Sequence, residues 1–234
     1  MNLLWLIGTL LLAPLRTALD LPATPPLELV QQEPSPMATS QEQVIAFWLT
    51  DLPQEPRATL GEQPLRQKPR EVAESGRASL LLPWMLAAAR GELEDWKESP
   101  RGRLALVLLL DQLPRQLFHE TPAAFAFDKL AQRVALEGIE LGDDQLLSPE
   151  ERRFFYMPLH HSEEVYQQQL ASILLYGLIP LAPAGYRDPY QQAYSQALHH
   201  RQIVQQFGRF PQRNGLLGRL STPEELSFLQ KAGE

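Results

Sequence analysis

The stretch SPRGRLALVLLLDQLPR, residues 99–115, decides the fold of this chain. Residues 104–110 are apolar without a break, so a helix through them has no polar face for two turns. Such a helix is buried on all sides or lies in a membrane, and this run is far too short to span a bilayer. The stretch therefore predicts the central helix of a bundle, capped by Ser99, with Pro100 in its first turn and Pro114 as its end.

Outward from this helix, a capping residue followed by proline recurs along the chain and marks helix starts. No stretch alternates between apolar and polar residues as a half-buried strand does. We therefore predict an all-α fold, with one helical domain over residues 37–234. Helices are predicted to start at Ser40, Ser99, Thr121, Ser148, Asp188 and Thr222 and to cover residues 80–90 and 162–177.

Two details of this helical pattern can be tested against a structure. The helix over residues 162–177 carries Tyr166, Leu170, Ile173 and Leu174 on one apolar face. Residues 53–77 contain several prolines and many charges, which is typical of a long loop.

Composition excludes several classes of function. The chain has 234 residues and a formal net charge of -7, which argues against a general nucleic-acid binder. It contains no cysteine, so disulfides, thiolate metal sites and a cysteine nucleophile are excluded. No cofactor is predicted, and the sequence does not set an oligomeric state.

Residues 1–36 differ from the rest of the chain. An apolar run over residues 3–15 is followed by a proline-rich segment. This extension is interpreted as a mis-assigned start with translation beginning at Met37, as a secretory signal, or as a membrane anchor. We expect it to pack little against the domain. The predicted location is cytoplasmic, and tethering to a membrane through the apolar segment is the alternative.

Asp111 directly follows the apolar run and falls in the last turn predicted for the central helix. A carboxylate there faces the negative end of the helix dipole, and a buried charge needs a partner. Arg115 lies four residues further on. Asp111 is therefore either one member of a structural ion pair or the acid of a functional site.

Arginines concentrate in a segment without acids. Residues 189–223 contain no Asp or Glu, although the chain as a whole is acidic. Arginine suits bidentate contacts to carboxylate or phosphate. The segment predicts an anion site, or else arginines that neutralise Asp111, Glu163 and Glu164 from other helices. The arginines are Arg201, Arg209, Arg213 and Arg219, two of which flank the turn over residues 208–214.

The histidines are the remaining candidates for chemistry. His200 lies on the inner apolar stripe of its helix, and His199 points away from that stripe. His160 and His161 are adjacent, so they cannot share one helical face, and no H-E-x-x-H spacing is present. No metal site is predicted.

Five segments resemble one bacterial protein family, catalogued as domain of unknown function 924. They are LALVLLLDQLPRQLF, TPAAFAFD, FFYMPLHHSEE, HHRQIVQQFGRFPQRNGLLGR and STPEE. The resemblance covers residues 41–229 and implies a tetratricopeptide-like, α-α superhelical domain without an established activity. The positions that match the family pattern are Asp111, Pro114, Arg115, His161, Ser162, Glu163, His200, Gly208, Arg209, Phe210, Pro211, Arg213 and Asn214.

The chain also departs from that family pattern. Gln212 stands where the family usually has histidine, and Gln202 stands where it usually has an acid. The family's Trp and Phe-Asp segment before the central helix is not recognisable in residues 53–79. These losses weaken a metal or acid–base mechanism and leave the arginines in place.

Three hypotheses for the function follow from these residues. The first is a binding module whose groove takes an anionic small molecule or an acidic peptide end, with Arg115, Arg209, Arg213 and Asn214 as ligand contacts. The second is a hydrolase that uses His161 or His200 as the base, Asp111 or Glu163 to orient it, and Arg209 or Arg213 as a clamp. The third is a buried polar network that only fixes helix packing.

Overall fold

The computed structural model describes residues 40–49, 76–183 and 185–232. Every regular element in these ranges is a helix, which confirms the all-α prediction. The predictions for residues 1–36 and for residues 53–75 of the expected loop lie outside the described residues. The tetratricopeptide-like arrangement stays a prediction.

Short turns connect most of the successive helices. A π-helical turn, Leu108–Gln112, joins α3 to α4, and short 3₁₀ turns connect many of the others. The α-helices are α1 Ser40–Leu49, α2 Leu82–Ala89, α3 Pro100–Val107, α4 Leu113–Leu117, α5 Asp128–Leu141, α6 Pro149–Phe155, α7 Met157–His160, α8 Val165–Leu178, α9 Asp188–Phe207 and α10 Pro223–Ala232.

The central helix comprises α3, the π turn and α4, over residues 100–117. It begins as predicted, because the Ser99 hydroxyl accepts a hydrogen bond from the Gly102 amide at 3.0 Å. The prediction that Pro114 ends the helix is wrong. In the π turn the Leu113 amide donates to the Leu108 carbonyl, five residues back. This places Pro114 in the first turn of α4, where a missing amide costs no bond.

The central helix is buried on all sides, as its sequence predicts. Residues 104–110 are at most 3% exposed. The helix packs against α2, α5 and α6, and the core continues into α8 and the start of α9. In the part of the chain that the structure describes, no helix combines the length and apolarity needed to cross a membrane. The cytoplasmic location stays a prediction.

Two predicted capping signals form complete capping boxes. The Ser148 hydroxyl accepts from the Glu151 amide at 3.3 Å, and the Glu151 carboxylate accepts from the Ser148 amide at 2.8 Å. Thr222 and Glu225 exchange the same two bonds at 3.2 and 2.8 Å. Because each box satisfies two otherwise unpaired groups, the starts of α6 and α10 follow from local sequence.

One predicted start shifts, and one stands without a cap. Thr121 does not cap a helix, because its hydroxyl donates to the Phe118 carbonyl at 2.8 Å. A 3₁₀ turn, Pro122–Phe125, follows it, and the α-helix begins only at Asp128. The helix predicted to start at Asp188 and end at Phe207 does so, although its start has no side-chain cap bond.

The buried side of α8 is not its most apolar face. Tyr166 is 70% exposed and Ile173 is 58% exposed. The buried side carries Gln168, Ala171 and Leu175 instead, and α8 packs along α9. The predicted face is therefore only partly buried: Leu174 packs against the core, and the Gln168 amide lies inside because it donates to the His160 and Ser162 carbonyls at 2.8 and 2.6 Å.

Candidate functional site

The central helix presents one fully buried carboxylate. Asp111 lies in the π turn and is 0% exposed. Nδ1 of His161 lies 2.9 and 3.0 Å from its two oxygens, and Nε2 of Gln112 donates to it at 2.6 Å. An Arg115 nitrogen lies 3.2 Å away. Burial alone would raise the pKa of Asp111, but the charge of Arg115 and the hydrogen bonds from His161 and Gln112 hold it well below its usual range. The carboxyl group is therefore ionised and fully partnered.

Arg115 joins this carboxylate to a second one. Its guanidinium donates two hydrogen bonds to the Asp128 carboxylate, at 2.8 and 2.9 Å, and one to the Asp111 carbonyl at 2.8 Å. Burial alone would lower the pKa of Arg115, but the two aspartates raise it. The donors of Arg115 are thus engaged by the protein itself.

His161 follows the short helix α7 and is held by Asp111. Because the carboxylate is an acceptor, Nδ1 carries the proton and Nε2 has the free lone pair. No described residue hydrogen-bonds Nε2, and the side chain is 16% exposed. Burial is the main reason why the pKa of His161 is lowered, and Arg115 partly offsets the opposing effect of Asp111. His161 is therefore neutral near pH 7.

Arg213 lies between two aromatic rings. Its guanidinium carbon is 4.7 Å from the ring centre of Phe125 and 4.4 Å from that of Phe210. Its nearest carboxylate is Asp128, at 3.6 Å, too far for a hydrogen bond. Burial, together with Arg115, lowers the pKa of Arg213 to about 10. Among the residues that the structure describes, none accepts a hydrogen bond from this guanidinium.

These residues form one group, which we call the ion cluster. It joins the central helix, the start of α5, the end of α7 and the turn after α9. Its members are Asp111, Arg115, Asp128, His161 and Arg213.

His200 lies beside the ion cluster without joining it. Nδ1 of His200 is 3.2 Å from the carbonyl oxygen of His160. The His200 ring centre lies 4.1 Å from that of His160 and 5.0 Å from that of Phe210. Burial lowers the pKa of His200 to about 4. With rings on both sides and no carboxylate partner in the described chain, His200 is poorly placed as a general base.

A second group of charged and polar side chains lies around the turn before α10, and we call it the C-terminal network. Its members are Glu163, Arg209, Asn214, Arg219 and Glu225. Arg219 contacts the Glu163 carboxylate at 2.6 and 2.8 Å, and Arg209 contacts the Glu225 carboxylate at 2.7 and 2.8 Å. The side chain of Asn214 donates to Glu225 at 3.1 Å and accepts from Arg219 at 3.0 Å. The hydrogen bonds from Arg209 lower the pKa of Glu225 to about 2. These polar groups satisfy one another, as a structural network does.

Seven of the eight predicted site residues fall into two groups. The ion cluster contains Asp111, Arg115, His161 and Arg213. The C-terminal network contains Glu163, Arg209 and Asn214, and His200 lies outside both groups. Glu163 is held by Arg219 and the Phe210 amide rather than by a histidine, so it does not orient a base.

Sequence reasoning missed two acids that organise these groups. Asp128 holds Arg115 and lies near Arg213, and Glu225 holds Arg209. Glu225 completes the capping box of α10, and that local pattern gives no sign of its arginine partner. Glu164, expected to meet an arginine, instead meets Lys129 at 3.1 Å in an exposed pair.

Two cavities lie away from the ion cluster. A cavity of about 50 Å³ lies beside the central helix between Leu106, Leu110 and Val134. A more open groove of about 480 Å³ lies along α10, next to Phe228 and Lys231. Neither is lined by the ion cluster. Within the described ranges, no group of three or more His, Cys, Asp or Glu side chains is arranged to hold a metal ion.

The fold and the cluster define an all-α protein whose central helix carries a buried, partnered carboxylate. The chain belongs to the bacterial protein family of unknown function DUF924, whose family model matches residues 44–233. This confirms the resemblance found in the sequence.

A solved structure of a protein of unknown function from Agrobacterium tumefaciens is similar to this chain. The two share 35% sequence identity with a TM-score of 0.64, over 82% of this chain and 97% of that one. No curated protein matches the chain. These comparisons show the family and the fold, and they name no activity.

Proposed function

We propose that this chain is a binding module for a small anion, or for the anionic end of a peptide, and that Arg213 is its contact residue. One observation carries the proposal. Arg213 is mostly buried between Phe125 and Phe210, yet its guanidinium donates no hydrogen bond to any described residue. Its charge is balanced by Asp128 at 3.6 Å, but that distance leaves its N–H donors without a hydrogen-bond acceptor from the described chain. An anion would supply the missing acceptors.

Geometry and charge favour Arg213 over the other arginines. Arg115 and Arg209 each donate two hydrogen bonds to one carboxylate, so their donors are engaged. The rings of Phe125 and Phe210 lie close to the guanidinium carbon of Arg213, and its N–H donors remain for a bidentate acceptor. His161 is linked to Arg213 through Asp111, Arg115 and Asp128, and its Nε2 is free to be a second contact. Because the side chains of Arg213 and His161 are only 12% and 16% exposed, the site suits a small ligand or a chain end.

A charge-removal experiment tests this proposal. Acetate and sulfate would be titrated at constant ionic strength and followed by the amide chemical shifts of labelled protein. Arg213→Gln is expected to weaken acetate binding by about tenfold or more, because a bidentate charged contact is lost. The same change should lower the free energy of unfolding by only about 1–2 kcal/mol, the range of a desolvated cation–π contact.

Arg133→Gln is the matched control. Arg133 is an exposed residue of α5, so the control removes the same charge away from the cluster. It should bind acetate as the wild type does. If neither anion binds the wild type saturably, or if Arg133→Gln loses as much affinity as Arg213→Gln, the proposal is wrong.

A hydrolase is the second candidate, and the Asp111–His161 pair favours it. A carboxylate that holds Nδ1–H of a neutral histidine leaves Nε2 free to accept a proton from water or a hydroxyl group. The expected nucleophile is a water molecule activated by His161. Arg213 would then stabilise the oxyanion.

We expect such an activity to depend on His161. In a screen of p-nitrophenyl esters and phosphoesters, turnover should fall by about a hundredfold or more in His161→Gln, the usual share of a general base. His199→Gln is the control, because His199 is exposed in the same part of the fold. Equal rates in the two variants would exclude this candidate for the substrates tested.

A further inference from the structure

The ion cluster is electrically neutral before any ligand enters. Asp111 and Asp128 contribute two negative charges, Arg115 and Arg213 contribute two positive charges, and His161 is neutral. The adjacent Glu163 is balanced by Arg219. An anion that binds Arg213 therefore adds an uncompensated charge to a mostly buried group, which costs free energy in a medium of low polarity.

One group of the cluster can compensate that charge by taking up a proton. His161 has Nδ1–H on Asp111, and its Nε2 has no partner among the described residues. The charged and titratable groups that face it are Asp111 and Arg115 on the central helix, Asp128 on α5, His160 on α7 and His200 on α9. Arg115 is a permanent cation, and both aspartates are paired with it.

The two neighbouring histidines are poor alternatives. His160 is 5% exposed, and its Nδ1 is buried without a partner. His200 lies between two rings. If His160 or His200 took up a proton, its positive charge would lie against the ring of the other. In the described chain, neither of these two side chains is bonded to a carboxylate that could stabilise the charge. His161 alone of the three has a carboxylate on its far nitrogen, which stabilises the imidazolium.

We infer that the ligand of this site is a monoanionic carboxylate and that it binds together with one proton, which His161 takes up on Nε2. The inference rests on the function proposed for Arg213. One carboxylate and one proton leave the cluster neutral. Its two oxygens also match the planar edge of the guanidinium between the Phe125 and Phe210 rings. A dianion would leave one negative charge in excess.

Linked titrations of the full chain test this inference. The imidazole signals of His161 would be followed by long-range ¹H–¹⁵N spectra between about pH 6 and pH 8, with and without acetate. Saturating acetate should raise the His161 titration midpoint. The acetate affinity should weaken by up to about tenfold per pH unit over the range in which one proton is taken up. Sulfate, which stays a dianion throughout, should bind more weakly than acetate at each pH.

A variant separates proton uptake from anion contact. His161→Gln keeps a polar side chain that cannot be protonated, so its acetate affinity should be weaker and independent of pH. His199→Gln should keep the pH dependence of the wild type.

The outcomes distinguish the two proposals. If acetate binds through Arg213 but its affinity does not change with pH, the proton-coupling inference is wrong and the binding function stands. Tighter binding of sulfate than of acetate would overturn the carboxylate preference alone. If no anion binds the wild type, both proposals fail.

Discussion

Replacing Asp111 with alanine is expected to lower the free energy of unfolding by about 3–5 kcal/mol, the usual cost of removing one member of a buried ion pair. The carboxylate is 0% exposed and holds His161, Arg115 and Gln112. After the change, two cations, Arg115 and Arg213, share the single carboxylate of Asp128. The main cost is this uncompensated buried charge.

Chemical unfolding in urea, followed by circular dichroism, measures this effect. Glu164→Ala is the control, because Glu164 pairs with Lys129 in an exposed contact and should change the stability by about 1 kcal/mol or less. Asp111→Asn should lie between the two, since the amide keeps an acceptor but not the charge. A loss below about 1 kcal/mol in Asp111→Ala would show that the carboxylate contributes little.

The dependence of this stabilisation on pH follows from the direction of the shift. The pKa of Asp111 is lower in the folded chain than in the unfolded chain. Its contribution is therefore present above the unfolded value of about 3.9 and is lost as the pH falls through the folded value. The difference between the wild type and Asp111→Ala should shrink only under acidic conditions.

The second large effect is expected at Gly102. Alanine there should destabilise the protein by about 3 kcal/mol, at the upper end of the cost of overpacking. An added Cβ would lie 2.0 Å from the carbonyl oxygen of Trp96 and 2.9 Å from the Ser99 hydroxyl. The first of these is a backbone atom, so the 3₁₀ turn Glu94–Glu98 or the start of α3 must move. The Ser99 cap would be disturbed in the same step.

Gly177→Ala is the matched comparison for Gly102→Ala. Gly177 is also helical, in α8, but nothing lies within 4 Å of an added Cβ. Because alanine favours a helix over glycine, this variant should be more stable than the wild type by about 0.5–1 kcal/mol. Thermal and urea unfolding of both variants would show opposite signs. A Gly102→Ala protein as stable as the wild type would mean that the close approach at Trp96 is easily relieved.

The sequence alone determined the helical fold and its centre. Seven apolar residues in succession, residues 104–110, leave no polar face, so the helix through them is buried whatever packs around it. The helix starts at Ser99, Ser148 and Thr222 depend on side chains bonding amides three residues away. Such local bonds are readable from spacing. The same reasoning required a partner for Asp111, because burying a lone charge is too costly.

Only the tertiary structure decided which groups meet. His161 lies 50 residues from Asp111 in the chain, and Asp128 at the start of α5 meets Arg213 in the turn after α9. The π turn also depends on packing. Its side chains are nearly all buried, and it shifts the hydrogen bonds around Pro114 in a way that spacing does not specify. The energy of a charge pair depends on distance and on exclusion of water, and both are set by how the helices pack. In this packing, Arg115 and Arg209 donate hydrogen bonds to carboxylates, whereas the guanidinium of Arg213 donates none to a described residue.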